Sequence, residues 1–459
     1  MAVFDYLNRL GIPIIFIFII VFVFSIVIEK KSNQKTKVKE LKEDAPNKVN
    51  GIVFGKKKKK LIYSPSEAEG SVGVFSASGT GKTAAIGIPT LRSWSGTSFV
   101  IDISGDICKN CSEIKNKLIF DPENPDTIPY NIFGMIDNLP KKEDRHEALE
   151  QLAYLLMPEM PGMNDNARFF LINGRKILTA SLIAFYDSDM DFIPICEKII
   201  KHSWQTLFRD IDATKNTDAI LYINSFEGAS EVNTAGCKQS CDDAVKLFAT
   251  NAKIKNAIHR PKEYREAIEP RKIEEHSIFL IIEDPKLNLY APLINIITSQ
   301  MMQYISNRIV SPHSHNILLF LDEYASLHID AITVLEALRK YRKRKCRIMI
   351  LTQNLADLDI LYGRDITRAI LANLRFKVLL GGLGEPDSQT YFSNLIGFKD
   401  IKKKSTSRNA KSITTTISTE KEYIISPADL DRQGRDTVIL ICPDEPGFFL
   451  LKKNYYFKQ

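Results

Sequence analysis

The chain has 459 residues, of which 44% are hydrophobic, a content that is ample for a folded core and excludes a wholly disordered polar chain. Its 62 lysines and arginines exceed its 55 aspartates and glutamates by only +7, so no strongly basic nucleic-acid-binding domain is indicated. The seven cysteines are scattered and odd in number, which excludes a disulfide-stapled scaffold and predicts free thiols. The length allows two domains, or one large domain with an insertion.

An apolar segment lies close to the amino terminus. Residues 12–28 read IPIIFIFIIVFVFSIVI, with no charge and about the length needed to cross a hydrocarbon core. A cleaved signal peptide is the alternative, but no small-x-small site follows the apolar run. Five lysines follow within residues 30–39, whereas only Arg9 precedes, so the positive-inside rule places the bulk of the chain in the cytoplasm. We therefore expect a single-pass membrane anchor at residues 1–30.

Residues 31–60 form the next predicted unit, a polar and basic linker. It ends in five consecutive lysines, residues 56–60, a run that could meet anionic lipid or nucleic acid. A solvated hairpin or loop is the more common origin of such a run, and we favour it. The first part of a nucleotide-binding domain is expected to follow at residues 61–140.

The segment VGVFSASGTGKT, residues 72–83, predicts a strand, a phosphate-binding loop and the start of a helix. Backbone N–H groups hold a triphosphate only where side chains are small, which Gly79 and Gly81 provide. Lys82 is expected on the β- and γ-phosphates and the Thr83 hydroxyl on Mg²⁺. Serine replaces the first glycine of the usual G-x-x-x-x-G-K-[ST] pattern and is small enough for the turn. The predicted nucleotide-binding residues are Ser76, Ala77, Ser78, Gly79, Thr80, Gly81, Lys82 and Thr83.

Apolar runs typical of buried parallel strands flank a long helical segment. Residues 141–272 show helical periodicity with almost no strand signal, and we interpret them as an all-α insertion domain. The nucleotide-binding domain would then resume in a second part at residues 273–459. The predicted strands around the insertion are residues 98–103, 117–120, 278–282 and 317–321.

The strand ILLFL, residues 317–321, ends directly in Asp322 and Glu323. Asp322 would reach Mg²⁺, and Glu323 would polarise the attacking water as general base. Such a pair is a weak signal alone, since many strands end in polar turns, but the upstream phosphate loop makes it specific. Thr83 and Asp322 are 239 positions apart, unusually far for one α/β core, and the helical insertion explains this distance.

A basic helix at residues 334–345 precedes a strand at residues 347–352, and Gln353 follows that strand directly. A glutamine beside the acidic strand is suited to sense the γ-phosphate or to orient water. A polar cap on a loop is the alternative use of the same residue.

The rest of the chain carries weaker signals. Residues 402–418 are a polar segment between two strands, which we interpret as a disordered surface insert in preference to a mobile pore loop. Residues 437–457 predict two closing strands joined by a Pro-Gly turn. The close cysteine pairs, each at best half of a zinc site by sequence, are Cys108 with Cys111 and Cys237 with Cys241.

The order of these motifs resembles that of the type IV secretion coupling proteins, the family that includes TraG and TrwB. The resemblance covers nearly the full chain and is far more specific than any one motif. It implies a RecA-like P-loop ATPase core with a membrane-distal all-α domain and an N-terminal anchor. The segments that carry it are the phosphate loop followed by IPTL, VIDISGD (100–106), FDP (120–122), LDEYASL (321–327), residues 338–363 and residues 370–397.

The resemblance also implies function. It indicates a homohexameric inner-membrane ATPase, using ATP and Mg²⁺, that delivers relaxase-bound single- or double-stranded DNA, or effector proteins, to type IV secretion channel components. Arg342, eleven positions before the glutamine, is similar to the finger that such proteins insert into the neighbouring subunit's site, and Arg339 is the alternative. The residues at the catalytic positions are Glu323, Gln353 and Arg342, and those at the metal positions are Thr83 and Asp322.

The chain departs from the family pattern in having one predicted anchor where two are common, Ser104 where lysine is common, and no proline after Asn131. Two other functions stay open. A membrane receptor that binds nucleotide without hydrolysing it is disfavoured by the presence of Glu323 and Gln353. A DNA-pumping ATPase of the FtsK or HerA type is disfavoured by the order of motifs and the helical insertion. The absence of an N-K-x-D pattern makes ATP, not GTP, the expected nucleotide.

Overall fold

The computed structural model describes residues 39–42, 50–159, 162–261, 266–409, 412–442 and 447–458. The predicted anchor at residues 12–28 lies outside these ranges. Within them, one helix is long and apolar enough to cross a membrane, Asp165–Tyr186, and most of it is buried inside the protein. We therefore assign this helix to the core of the helical segment described below.

The described part of the chain alternates between strands and helices. The strands are β1 (Lys39–Lys42), β2 (Gly51–Lys57), β3 (Lys60–Pro65), β4 (Ser71–Phe75), β5 (Thr97–Asp102), β6 (Lys117–Phe120), β7 (Ser277–Ile281), β8 (Ile317–Leu321), β9 (Cys346–Thr352), β10 (Leu374–Leu379), β11 (Phe398–Asn409), β12 (Ser412–Tyr423), β13 (Thr437–Ile441) and β14 (Phe448–Lys452). The α-helices are α1 (Ile88–Ser93), α2 (Asp106–Asn110), α3 (Gly134–Asp137), α4 (Lys142–Leu156), α5 (Asp165–Tyr186), α6 (Phe192–Lys201), α7 (Trp204–Ala213), α8 (Thr217–Asn224), α9 (Glu231–Thr250), α10 (Ala252–Ala257), α11 (Leu287–Asn307), α12 (Ala331–Lys340), α13 (Leu355–Tyr362), α14 (Arg364–Asn373), α15 (Pro386–Ile396) and α16 (Pro427–Asp431).

Twelve strands form one mixed sheet, in the order β1-β3-β2-β14-β13-β10-β4-β9-β8-β5-β7-β6. The strands from β10 to β6 are parallel to one another, and the remaining ones pair antiparallel. Most of the parallel strands are predominantly apolar, and β8 is continuously so, because helices cover both of their faces. Their carboxyl ends meet at one edge, so β4, β9 and β8 deliver the residues that follow them to neighbouring positions.

The amino-terminal boundary of the sheet corrects the predicted linker at residues 31–60. Strand β2 begins at Gly51, and Ile52, Val53 and Phe54 are fully buried. This short buried run directly precedes the lysines, so the polar and basic composition of residues 31–60 concealed it. Lys58 and Lys59 form the exposed turn between β2 and β3, and the other three lysines lie at the adjoining ends of these strands, which confirms the favoured solvated hairpin.

A helical segment separates β6 from β7. Helices α4 to α10 occupy residues 142–257, most of the range predicted to be all-α. Helix α5 is the centre of this segment and packs against α4, α8 and α9. The side chains that cap helices here, by accepting backbone N–H bonds in the first turn, are Asn164, Asp191, Ser203, Asn216 and Asn251.

The prediction of a disordered insert at residues 402–418 was wrong. Strands β11 and β12 form a long antiparallel hairpin in continuous register, from the Phe398 and Tyr423 pair to the Asn409 and Ser412 pair. Polar composition suggested disorder, but the β-branched Thr and Ile residues of β12 suit a two-stranded ladder. The two closing strands, β13 and β14, are confirmed, and the turn at residues 443–446 lies outside the described residues.

Candidate functional site

The loop after strand β4 is closed by hydrogen bonds among its own residues. Gly79 has a φ of 72° and Gly81 a φ of 93°, conformations that glycine adopts without steric cost. The Ser76 hydroxyl lies 2.6 Å from that of Thr80, and the Thr80 hydroxyl donates to the Ala77 carbonyl oxygen at 2.7 Å. Serine at the first-glycine position therefore contributes to the turn. The helix that follows begins as a π turn, Thr83–Gly87, and continues as α1.

Two distant segments support this loop. The Ala77 N–H donates to the Gly382 carbonyl oxygen at 3.2 Å, from the connection after β10. The Lys453 ammonium, just past β14, donates to the Thr80 carbonyl oxygen at 2.7 Å. The Tyr455 ring packs so closely on Gly81 that an added Cβ would lie 3.0 Å from it. The carboxyl-terminal segment therefore fixes the loop from outside.

Lys82 lies inside the loop and is almost fully buried. Its ammonium donates to the Ser76 carbonyl oxygen at 3.0 Å and lies 3.4 Å from Oε1 of Glu323. An ammonium held over a turn of backbone N–H groups is suited to bind the oxygens of a phosphate chain. Ser78 and Gly79 are exposed at the top of the loop, on its open side.

The acidic residues after β8 face the start of the helix that follows the loop. The Thr83 hydroxyl donates to Oδ1 of Asp322 at 3.4 Å, which brings together residues from distant parts of the chain. Glu323 adopts a left-handed conformation, with φ 43° and ψ 49°, that is uncommon for a residue with a side chain. Such strain occurs where the surrounding structure holds a residue in place, often at functional sites.

A third carboxylate lies beside this pair. Asp102 ends β5, the neighbour of β8, and its carboxylate accepts N–H bonds from Gly105 at 2.9 Å and Cys108 at 2.7 Å. Burial raises the pKa of Asp322 to about 7, and the nearby carboxylates of Glu323 and Asp102 add to the rise. Burial also raises the pKa of Asp102, against the N–H donors. This group of buried acids would be stabilised by a cation.

The arrangement fits a nucleotide with Mg²⁺. Gly79 and Gly81 adopt positive φ values in the turn, and the carboxylates of Glu323 and Asp102 raise the pKa of Asp322, an effect that a bound cation would offset. Within the described residues, no group of three or more histidine, cysteine, aspartate and glutamate side chains is arranged to hold a metal by itself. Thr83 and Asp322 would therefore share Mg²⁺ with phosphate oxygens, as magnesium sites in nucleotide-binding proteins commonly do.

The structure separates the remaining predicted site residues into two places. Gln353 follows β9, the strand between the phosphate-loop strand and the acidic strand, and is half-buried at the same edge of the sheet. Arg342 lies in the turn that enters β9 from the opposite edge, where it forms an ion pair with Glu69, just before β4. Arg339 is exposed in the last turn of α12, also before β9. Neither arginine is near the loop of its own chain.

Several residues beside the loop or the acidic pair were not predicted as site residues. Asp102 carried a usable signal, because it ends a buried strand of the same kind as the strand before Asp322. Gly382, Lys453 and Tyr455 lie far from the loop in sequence and match no local pattern that we recognised. The seven cysteines are all buried free thiols.

Comparisons with known proteins agree with this geometry. The family model described as "Type IV secretory system Conjugative DNA transfer" matches residues 27–459. Protein VirD4 of Rhizobium rhizogenes is 21% identical over 429 residues, covering 89% of this chain and 62% of that protein. Protein VirD4 of Agrobacterium fabrum is 21% identical over 441 residues, covering 89% and 63%. The chain thus spans about three fifths of the length of these curated relatives.

Solved structures show the same fold. The plasmid coupling protein TrwB in complex with the ATP analogue ADPNP has a TM-score of 0.68 at 17% identity, covering 92% of this chain and 95% of that one. TrwB in complex with ADP and Mg²⁺ has a TM-score of 0.65 at 17% identity, covering 85% and 87%. The predicted α/β P-loop fold is confirmed. The match over almost the whole sequence establishes that this chain belongs to the type IV secretory system conjugative DNA transfer family.

Proposed function

We propose that the protein is an ATPase that couples relaxase-bound DNA or effector proteins to a type IV secretion channel and drives their transfer. The observation that carries this proposal is the convergence of Lys82, Thr83, Asp322 and Glu323 on one glycine loop. A lysine, a hydroxyl and two carboxylates at a phosphate loop are the groups that phosphoryl transfer to water requires. Membership of the family supports the choice of substrate.

Each residue has a distinct role in this proposal. ATP and Mg²⁺ supply the phosphoanhydride and the charge that polarises it. Lys82 would exchange its bonds to the loop carbonyl oxygens for phosphate oxygens. Thr83 and Asp322 would hold the cation, and Glu323 would accept a proton from the attacking water. Gln353, at the end of the intervening strand, would orient that water or report on the γ-phosphate.

The proposed assembly is a homohexamer. Arg342 lies at the sheet edge opposite its own phosphate loop, so it would act on the site of a neighbouring subunit. In a closed ring of head-to-tail contacts, every subunit presents this residue to the nucleotide site of its neighbour. An arginine supplied this way stabilises the charge that develops on the transferred phosphoryl group.

We further propose that the protein is a single-pass inner-membrane protein with a cytoplasmic bulk. The apolar segment at residues 12–28 supports this location, as does the lysine excess after it. The helical segment at residues 142–257 would act as a separate all-α domain that selects cargo, inserted between two parts of the nucleotide-binding domain. Its partners would be secretion channel components and the relaxase-bound DNA or effector.

The test is ATP turnover by the 459-residue chain, with and without single-stranded DNA, over a range of protein concentrations. Glu323→Gln should lower kcat by about 10²- to 10⁴-fold while nucleotide still binds, because the proton acceptor is lost. Lys82→Ala should also weaken nucleotide binding. Matched controls are Lys115→Ala and Glu275→Gln, which change exposed residues of the same types away from the loop.

The outcomes separate the alternatives. Nucleotide binding without turnover at any protein concentration would replace the ATPase with the nucleotide-dependent receptor. Turnover that is stimulated only by duplex DNA, together with movement along it, would favour a DNA-pumping ATPase of the FtsK or HerA type. Turnover that survives both substitutions would locate the activity elsewhere and reject the proposed site.

A further inference from the structure

The hairpin β11–β12 is a long feature to which the proposed function assigns no role. Each strand has 12 residues, so it extends about 36 to 40 Å at about 3.3 Å per residue. In the described part of the chain its strands pair only with each other and form a separate two-stranded sheet. A long ribbon whose outer strand edges pair with no other described strand offers a surface for binding.

The register assigns residues to the two faces, because residues directly opposite in an antiparallel pair lie on the same face. We call the face that contains Phe398 the basic face, and the other the neutral face. The described residues of the basic face are Phe398 with Tyr423, Asp400 with Lys421, Lys402 with Thr419, and Lys404 with Ile417. Those of the neutral face are Lys399 with Glu422, Ile401 with Glu420, and Lys403 with Ser418.

The faces differ in charge. On the neutral face, Lys399 lies 3.6 Å from Glu422 and Lys403 lies 2.5 Å from Glu420, so its two lysines are balanced by two glutamates. The basic face has three lysines against one aspartate. Lys402 and Lys404 are exposed, and neither forms an ion pair with any residue that the structure describes. An anionic partner would therefore meet the basic face.

An aromatic pair lies at the base of the same face. The rings of Phe398 and Tyr423 have centroids 4.6 Å apart at an interplanar angle of 30°, and Phe398 remains 48% exposed. The Tyr423 hydroxyl donates to the Asn394 side-chain oxygen at 3.2 Å, which fixes the pair to helix α15. An exposed, anchored ring beside lysines matches the combination that binds single strands, in which bases stack on rings and cations follow the backbone.

Helix α15 joins the hairpin to the phosphate loop. Phe392, in its last turns, packs against Phe75, the final residue of strand β4, with ring centroids 4.9 Å apart. The connection before α15 includes Gly382, whose carbonyl oxygen accepts the Ala77 N–H. Helix α15 therefore packs against the strand that leads into the phosphate loop, and the hairpin begins directly after its carboxyl-terminal end.

We propose that the basic face of this hairpin binds the backbone of single-stranded nucleic acid, with Phe398 and Tyr423 as a stacking platform. The inference rests on the proposed function, because the strand would be the transported DNA. Lys402 and Lys404 are two residues apart, about 7 Å along the strand, a spacing that lets each meet a separate phosphate of an extended chain. The neutral face does not take part.

The experiment measures binding of a fluorescent 30-nucleotide oligothymidine to the 459-residue chain by anisotropy, over a range of salt concentrations. The variant is Lys402→Ala with Lys404→Ala. Two phosphate contacts on a single strand contribute about 1.4 to the slope of log affinity against log salt, so affinity should fall about 25-fold at 0.1 M salt. Phe398→Leu should lower affinity about fivefold or more without changing the slope.

The matched control is Lys399→Ala with Lys403→Ala, which removes the same charge from the same strand on the neutral face and should leave affinity and slope unchanged. Equal losses in both double variants would overturn the proposal, because only general charge would matter. Equal losses on a 30-base-pair duplex would overturn the single-strand assignment. Lost binding to phosphatidylglycerol vesicles with intact DNA binding would assign the face to membrane lipid instead.

Basal ATP turnover separates this inference from the proposed function. The Lys402→Ala, Lys404→Ala variant should hydrolyse ATP without DNA at the parent rate, because neither lysine lies near the phosphate loop. If turnover is normal and DNA binding is unchanged, the hairpin inference fails alone. If the parent chain shows no turnover while the hairpin variant loses DNA binding, the proposed ATPase fails and the binding face stands.

Discussion

Arg342 offers the sharpest test of the proposed assembly, because its local contact and its proposed role differ greatly in energy. Its ion pair with Glu69 involves a side chain that is 70% exposed, and such pairs contribute less than about 1 kcal/mol to stability. A finger acting on a neighbouring site contributes about 10³- to 10⁵-fold in kcat, or about 4 to 7 kcal/mol. Arg342→Ala should therefore nearly abolish turnover and leave the melting temperature almost unchanged.

The position of Arg342 rules out action on its own site. Arg342 lies in the turn before strand β9, whereas the phosphate loop lies at the edge of the sheet where β9 ends. The seven residues of β9 separate the two by about 20 Å. Mixing two inactive variants tests this directly. A Lys82→Ala subunit can supply Arg342 to the intact loop of an Arg342→Ala subunit. In an equal random mixture, about half of the subunits have an intact loop and about half of their neighbours have an intact Arg342. About a quarter of the head-to-tail interfaces would then combine both, so about a quarter of the parent turnover should return.

The measurement is steady-state ATP turnover of each variant alone and of the mixture at equal total concentration. Arg339→Ala is the matched control and should retain turnover. If Arg342→Ala alone retains more than a tenth of the parent rate, or if mixing restores nothing, a finger at this position is refuted. If Arg339→Ala shows the loss and the mixed recovery, the finger lies one turn earlier.

Three further outcomes follow from buried groups and tight turns. Arg308 donates two 2.7 Å bonds to Glu274, so Arg308→Gln should lower the free energy of unfolding in urea by about 2 to 4 kcal/mol. Burial raises the pKa of Glu274, but the bonds from Arg308 outweigh burial and lower it. The stability difference between the parent and Arg308→Gln should therefore persist above about pH 4.3 and shrink in acid. An unchanged stability difference at pH 3 would contradict this prediction. Burial lowers the pKa of Lys377 to about 8, so Lys377→Met should raise stability by up to about 3 kcal/mol below pH 8, with the gain vanishing above about pH 10.4. Gly81→Ala should weaken nucleotide binding more than Gly79→Ala, measured by calorimetry, because only Gly81 has a ring 3.0 Å from the added Cβ.

The phosphate loop and the acidic strand could be predicted because their chemistry is written in consecutive residues. A loop that holds phosphate through its backbone needs glycine, lysine and threonine in one short run, and the sequence from Gly79 to Thr83 supplies them. The strand before Asp322 is fully buried, so its apolar run is continuous and easily recognised. The helical segment was recognisable because seven helices repeat the same periodicity without an intervening strand.

The hairpin could not be recognised in the same way. Residues 399–422 are mostly polar or charged, so composition favoured disorder over a ladder whose stability comes from cross-strand pairing. The strand at Gly51–Lys57 was missed for the opposite reason, since a conspicuous lysine run follows a short buried segment. In both cases the missing information was the partner strand, which lies elsewhere in the chain.

The sequence by itself determined the class of the fold, the phosphate loop and the acids that follow the central strand, because each is a local pattern with a local physical cause. Tertiary structure alone decided which distant residues meet. It brought Asp102 beside Asp322, laid Lys453 and Tyr455 against the loop, and separated Arg342 from its own site by the length of strand β9. Strand order determines these contacts, and hydrophobic pattern does not encode strand order, since β4, β7 and β8 are short buried runs of the same kind.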